Sequence, residues 1–298
     1  MAGDARRKIE GGLRIRGEKK TSGPGKPLVS IVTVVYNGEK HLEQTIRSVI
    51  NQTHENVEYL IMDGNSTDGT KDIIKKYEDR IDYWVSEPDQ GIYDAMNKGI
   101  GLANGELIGI LNADDYYVPD ALSTIAEAYL SHKCLPAVYY GDTYILQEDL
   151  DIRYKSYASI DFWRGMTVSH QAMFIHRSVY DKLGRYSVQY RLGSDYDFVL
   201  RAVEENVPFI PVGNFLVYYR NSGLSARDMW MSLDEGSRVH WAHFPLLSID
   251  SLKFNMRLLR SAFFLILQRI IGSLFGEKNY MRVKKMYFRR FISKGNEF

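Results

Sequence analysis

Four short apolar runs constrain this chain most. They occupy residues 28–35, 57–62, 81–85 and 107–111, and stretches with helical periodicity separate them. The first run is β-branched and bounded by Pro27 and Asn37-Gly38, the pattern of a fully buried strand. After it, Leu42, Ile46, Val49 and Ile50 recur at helical spacing. Ile73, Ile74 and Tyr77 do so after the second run, and Ile92, Ala95, Met96, Gly99 and Ile100 after the third. Strands joined by helical crossovers lie parallel, and a parallel sheet must be covered on both faces. The chain is therefore expected to be an α/β protein with a mainly parallel sheet.

Acids cluster where these strands end. Asp63 closes the second run, and Asp114 and Asp115 follow the fourth. Asp89 sits in Pro88-Asp89-Gln90-Gly91, a loop leading into a helix. In an open parallel sheet all these ends share one edge, which is where ligands bind. Converging carboxylates raise one another's pKa unless a cation or hydrogen-bond donors compensate. A hard divalent cation holding phosphates suits two such acids. The plainer reading of each acid is a turn or a helix cap.

After Pro136 the pattern changes. Residues 138–140, 144–146 and 152–157 are short and tyrosine-rich and read as an antiparallel portion, with further strands at 171–175, 209–212 and 215–219. Residues 195–206 read as a helix opened by Asp195 and Asp197, where acids also favour the positive end of the helix dipole. A general base needs only a carboxylate within reach of a hydroxyl, so this pair is a candidate. His170-Gln171 precedes a strand. His240 and His243 have metal-ligand spacing but lack a companion helical acid motif. There is no Walker-type or dinucleotide-type glycine loop and no serine nucleophile elbow.

The net charge of +1 conceals an asymmetry. Residues 1–26 carry +5 and residues 251–298 carry +9, leaving about −13 for the body. An acidic body makes nucleic acid an improbable partner. Residues 1–26 are basic and glycine-rich and are expected to be disordered. Residues 263–275 are dense in Phe, Leu and Ile, but Gln268 and Arg269 interrupt them, and the run is shorter than the roughly 20 residues a spanning helix needs. Arg257, Arg260, Arg282, Lys284, Lys285, Arg289 and Arg290 flank it. The tail thus reads as an amphipathic interfacial helix on a membrane surface, with packing on the body or on a second subunit as the alternative. The single cysteine, Cys134, and a first segment unlike a signal peptide point to a cytoplasmic protein, peripheral at the inner membrane face.

Taken in order, these segments resemble the family 2 glycosyltransferases of the GT-A fold. The resemblance rests on residues 29–37, 59–70, 89–99 and 111–115, then His170-Gln171 and residues 194–197, and it covers residues 28 to 225. The group it resembles most is bacterial and acts in surface-polysaccharide and lipopolysaccharide assembly. The resemblance implies a Rossmann-like mixed sheet with helices on both faces, to which the tail pattern adds a C-terminal amphipathic helical extension over residues 251–298. It divides residues 27–250 into a nucleotide-sugar half, 27–117, and an acceptor half, 118–250. It implies that Tyr36, Asp63, Asp89, Lys98 and Asp114 bind the nucleotide-sugar, that Asp115 ligates Mn²⁺ or Mg²⁺, and that Asp195 is the base of an inverting transfer. His170, Gln171 and Asp197 would touch acceptor or donor sugar. A UDP-sugar is the first donor expected, ahead of GDP- and dTDP-sugars, and the acceptor is a glycan or a lipid-linked molecule. A homodimer through the tail is left open.

Two departures from the family pattern stand out. Many members carry a second acid where this chain has Gly64, and an Arg where it has Met96. A nucleotidyltransferase would carry a glycine-rich basic loop after the first strand, but Tyr36-Asn37-Gly38-Glu39 stands there. The alternative kept is a non-catalytic nucleotide-sugar-binding or scaffold protein on the same fold.

Overall fold

The computed structural model describes residues 8–161, 165–221, 223, 228–245 and 248–287. Its strands are β1 (Ile9–Gly11), β2 (Val29–Val35), β3 (Val57–Asp63), β4 (Tyr83–Ser86), β5 (Leu107–Asn112), β6 (Tyr116–Tyr117), β7 (Val138–Gln147), β8 (Ile152–Ser156), β9 (Met173–His176) and β10 (Phe209–Arg220). Its helices are α1 (Leu42–Ile50), α2 (Thr70–Lys76), α3 (Ile92–Leu102), α4 (Ala121–Ser131), α5 (Arg177–Leu183), α6 (Ser194–Glu204), α7 (Met229–His243) and α8 (Ile249–Tyr287).

One mixed sheet runs through the body in the order β1-β4-β3-β2-β5-β9-β7-β10-β6, with β8 beside β7. Strands β4, β3, β2 and β5 are parallel, as the helical crossovers require. Period-two alternation sorts their side chains. Ile31, Tyr59 and Ile61 pack beneath α1 and α4, while Val32, Leu60 and Met62 pack beneath α3. Helix α3 lies so close to β2 that a Cβ at Gly99 would meet Val32 Cγ1 at 2.2 Å. Only a residue without a Cβ allows that approach.

The second half corrects the expected antiparallel portion. Strand β9 is antiparallel to β5 and β7, and β8 to β7, but β10 runs parallel to β7. The interruption at Gly213-Asn214 is an irregularity inside one long strand rather than a turn between two. The same sheet joins residues 27–117 to residues 118–250.

The basic N-terminal segment is not disordered over its described part. Strand β1 extends the sheet beyond β4, Arg14 forms an ion pair with the buried Glu58, and Lys20 Nζ lies 2.9 Å from Asp82 Oδ2. Glu58 and Asp82 are buried, so the body itself supplies the acids that these cations neutralise. Residues 1–7 lie outside the described residues.

The tail forms α8, broken by a non-helical Gly276. Its start packs against α7, and Lys284 Nζ reaches Asp149 Oδ2 at 2.7 Å. Arg289 and Arg290 lie outside the described residues. Among the described residues no helix is long and apolar enough to cross a membrane.

Candidate functional site

The carboxyl ends of β2 and β5, with the loop after β4, open into a cleft of about 1230 Å³, walled on the far side by α6, α7 and α8. The sequence-predicted residues fall into three corners of this region.

The first corner lies beyond β2 and β3. Tyr36 is exposed and lines the cleft. The loops after the two strands are tied together, because Asn37 N–H donates to Ser66 Oγ at 2.7 Å and Gly38 N–H to Thr70 Oγ1 at 2.8 Å. Asp63 does not line the cleft. Its buried carboxylate accepts from Ser66 N–H and Ser66 Oγ, and from Ser86 Oγ at 2.5 Å, so it fixes the loop from below. Asp89 lines the cleft, and burial pushes its carboxyl above the usual range. A Cβ at Gly64 would meet Asp89 Oδ2 at 2.5 Å and Tyr36 Cδ2 at 3.5 Å. The space beside Tyr36 that a family acid at position 64 would take is therefore already held by the carboxylate of Asp89.

Lys98 is corrected as a donor-binding cation. It is outside the cleft lining, tied to Glu87 at 3.1 Å and to Asp94 at 3.2 Å. Met96 is buried against the cleft floor. The cations lining the cleft are instead Lys40, Arg191, Arg220 and Arg257.

The second corner follows β5. Asp114 lines the cleft, whereas Asp115 is 0% exposed and lies behind it. Asp115 Oδ2 accepts from Gln171 Nε2 at 2.7 Å, and Oδ1 accepts from Arg220 N–H at 2.8 Å. Asp115 is thus not placed to meet a cation in the cleft, as was expected of it, and of the pair Asp114 lines the cleft. Asp114 presents the cleft-facing carboxylate, and Asp115, with both oxygens occupied, holds it from behind. Gln171 also lines the cleft, with its amide nitrogen committed to Asp115. Burial raises the pKa of both acids, and Asp114 adds to the rise at Asp115. The Arg220 guanidinium compensates. It bonds the Asp114 carbonyl, and it reaches Glu148 Oε1 at 2.9 Å and Gln44 Oε1 at 2.7 Å.

Among the described residues no cluster of three His, Cys, Asp or Glu side chains forms a ready metal cage. A Mg²⁺-type site needs fewer protein ligands, because one or two carboxylates serve when substrate phosphates complete the shell. Asp114 fits that demand. Asn112 Oδ1 and His170 Nε2 are buried in the cleft lining with no partner among the described residues, so the corner retains polar capacity for a ligand.

The third corner holds Asp195 at the start of α6, also lining the cleft. Tyr93 OH donates to its Oδ1 at 3.2 Å, and His170 Nδ1 lies 3.3 Å from its Oδ2. Burial, and then the Asp195 charge, push the Tyr93 phenol well above its ordinary pKa, so it stays a donor. The loop before α6 is clamped by the buried Glu235, which accepts from the N–H groups of Arg191, Leu192 and Gly193. Asp197 is corrected. It faces away from the cleft, bonded to Arg201 Nε at 2.9 Å and to His243 Nε2 at 3.2 Å. Burial would raise its pKa, but these two partners hold it below the ordinary value. His243 is thereby a structural ion-pair partner. His240 bonds Tyr196 OH and Ser251 Oγ and stacks on Phe254 at 3.8 Å, and burial lowers its pKa to about 4.

Arg220, Tyr93, Glu235 and the α8 residues Phe254, Arg257 and Ser261 were not singled out for the site in the sequence. Tyr93, Arg220 and Glu235 meet their partners across large sequence separations, so no local spacing marks them.

Residues 30–184 match the model of glycosyl transferase family 2. The PGL/p-HBAD biosynthesis glycosyltransferase of Mycobacterium bovis (strain BCG / Pasteur 1173P2) is 32% identical over 182 residues, covering 59% of this chain and 69% of that protein. Two solved structures share the fold. S. aureus TarS 1-349 in complex with UDP has a TM-score of 0.55 at 16% identity, covering 73% of this chain and 67% of that one. The mannosyltransferase PcManGT from Pyrobaculum calidifontis, in complex with GDP-Man and Mn²⁺, has a TM-score of 0.54 at 14% identity, covering 94% and 92%.

Proposed function

The chain belongs to glycosyl transferase family 2, and from that membership we propose that it moves a sugar from a nucleotide-sugar donor to a hydroxyl of a glycan or lipid-linked acceptor, with inversion at the anomeric carbon. A UDP-sugar is the first donor proposed. One observation carries the reading: a cleft-facing carboxylate beyond β5, Asp114, and a second at the start of α6, Asp195, line the same cleft.

Tyr36 and Asp89 bind the nucleoside, with Lys40 and Arg220 nearest in kind to the phosphates. Asp195 accepts the proton of the acceptor hydroxyl. The hydroxyl oxygen bonds to the anomeric carbon as the bond from that carbon to the phosphate oxygen breaks, and the nucleoside diphosphate leaves with the electron pair. No covalent enzyme intermediate forms, consistent with the lack of a nucleophile motif. Tyr93 and His170 hold the Asp195 carboxylate in position. Asp114, supported from behind by Asp115, would hold Mn²⁺ or Mg²⁺, which when bound would supply Lewis-acid stabilisation of the leaving diphosphate. The Mn²⁺ in the PcManGT structure supports this metal assignment. The relative named for PGL/p-HBAD biosynthesis supports a biosynthetic transfer, and the basic tail supports work at the inner face of the cell membrane.

Purified protein incubated with UDP-, GDP- and dTDP-sugars and Mn²⁺ should consume one donor class. The sugar released to acceptor or water should have the opposite anomeric configuration by proton NMR. Retained configuration would contradict the single-displacement reading.

A further inference from the structure

Helix α8 has two faces with different neighbours. Ser251, Phe254 and Leu265 are buried, and Leu258 and Ser261 line the cleft. At about 100° per residue these five share a sector of roughly 80°. On nearly the opposite side lie Leu252, Met256, Leu259, Phe263, Ile266 and Ile270, all exposed, with Leu259 at 70% and Phe263 at 67%. Their alternating spacing of four and three residues keeps them within another sector of roughly 80°. The strip they form is about 27 Å long. Lys253, Arg257 and Arg260 occupy the flank between this strip and the cleft wall, and Arg257 itself lines the cleft.

We propose that this outward strip of α8 lies on an anionic lipid bilayer, so that the inward face of the same helix holds the cleft at the membrane surface for an acceptor carried by a lipid. The second half of this statement rests on the glycosyltransferase reading above, and the first half does not. The apolar strip seats among the acyl chains, and the row of cations meets the lipid phosphates, the arrangement of a helix lying in an interface. Charge decides between a bilayer and a second copy of the chain. From residue 249 to Gly276 the only acid is Asp250, which is 3.3 Å from Lys253. An α8-to-α8 pairing with a second copy would bring the same cations without acids to meet them, whereas an anionic surface supplies the missing charge. No helix among the described residues is apolar enough to cross the bilayer, so α8 lies on it.

The test is co-sedimentation of the full chain with vesicles of phosphatidylcholine alone or mixed with phosphatidylglycerol. The variants are Leu259→Glu with Phe263→Glu, and Lys253→Glu with Arg260→Glu, and nucleotide titration of each reports its folding. The protein should pellet with the mixed vesicles and not with phosphatidylcholine alone. The first variant should lose binding. The second should weaken it by at least about 25-fold, at roughly fivefold per cation. Each variant should keep wild-type nucleotide binding. Failure of the wild type to pellet with mixed vesicles, or variants that pellet as it does, overturns the proposal. So does a dimer in sedimentation velocity that Leu259→Glu with Phe263→Glu dissociates, because the strip would then belong to a second copy. If the wild type binds vesicles but no nucleotide, the surface stands and the glycosyltransferase reading falls.

Discussion

His170 Nδ1 lies 3.3 Å from Oδ2 of Asp195, while Gln171, the next residue, donates to Asp115 at 2.7 Å. Two adjacent residues thus reach the two acidic corners of the cleft. Displacing this short turn would disturb the proposed base and the proposed cation site together.

Asp195→Asn is expected to keep nucleotide binding and to lose transfer by about 10²–10⁴-fold, the range of a general base. Single-turnover assays beside nucleotide titration separate the two effects. His170→Gln is expected to lower kcat about tenfold, the equivalent of one hydrogen bond, with the donor KM unchanged.

Asp114 and Asp115 should differ in the absence of ligand. The raised pKa of Asp114 means that its ionised form opposes folding at neutral pH, and this cost fades as pH falls below the folded-state value and is gone below 3.8. Asp114→Asn should therefore raise the stability of the ligand-free protein at pH 7, by about 0.5–1 kcal/mol. Asp115→Leu should lower stability, because it leaves Gln171 Nε2 and Arg220 N–H buried without their acceptor. Thermal unfolding of both variants without nucleotide or metal checks the contrast.

Lys98→Met should leave nucleotide affinity within about twofold, because the ammonium is committed to Glu87 and Asp94 outside the cleft. Arg220→Met should destabilise the protein by about 3–5 kcal/mol, the cost of breaking a buried charge network. Urea unfolding of Arg220→Met and titration of Lys98→Met test the pair.

The Asp197–His243 pair gives a pH dependence. The carboxylate partners raise the His243 pKa above its ordinary 6.5, so its stabilisation is full below pH 6.5 and fades as pH rises through the folded value. Asp197 is shifted down, so its share is full above 3.8 and fades as pH falls through its folded value. His243→Gln should cost about 2 kcal/mol at pH 6 and progressively less above neutrality, read from melting temperature against pH.

The parallel half of the fold was legible because buried strands and crossover helices print distinct periodicities, and Asp114 and Asp195 stood at the ends of such elements. Strand β1 was not legible, since an edge strand of three residues carries no periodicity, and the acids that the following Arg14 and Lys20 answer, Glu58 and Asp82, lie far along the chain. Which of Asp114 and Asp115 faces the cleft depends on Gln171 and Arg220, and sequence spacing cannot express such a contact. Asp89 filling the place beside Gly64 is of the same kind. The missing family acid was readable, but the neighbour occupying its space was not.

The most direct measurement is calorimetric titration of the wild type and Asp114→Asn with UDP, GDP, dTDP and CMP, with and without Mn²⁺. The account predicts that one nucleotide diphosphate binds the wild type, that Mn²⁺ strengthens the binding at least tenfold or so, and that Asp114→Asn loses the gain, the worth of about one charge-assisted contact. Binding of no nucleotide, or equal binding with and without Mn²⁺ in both proteins, would contradict it.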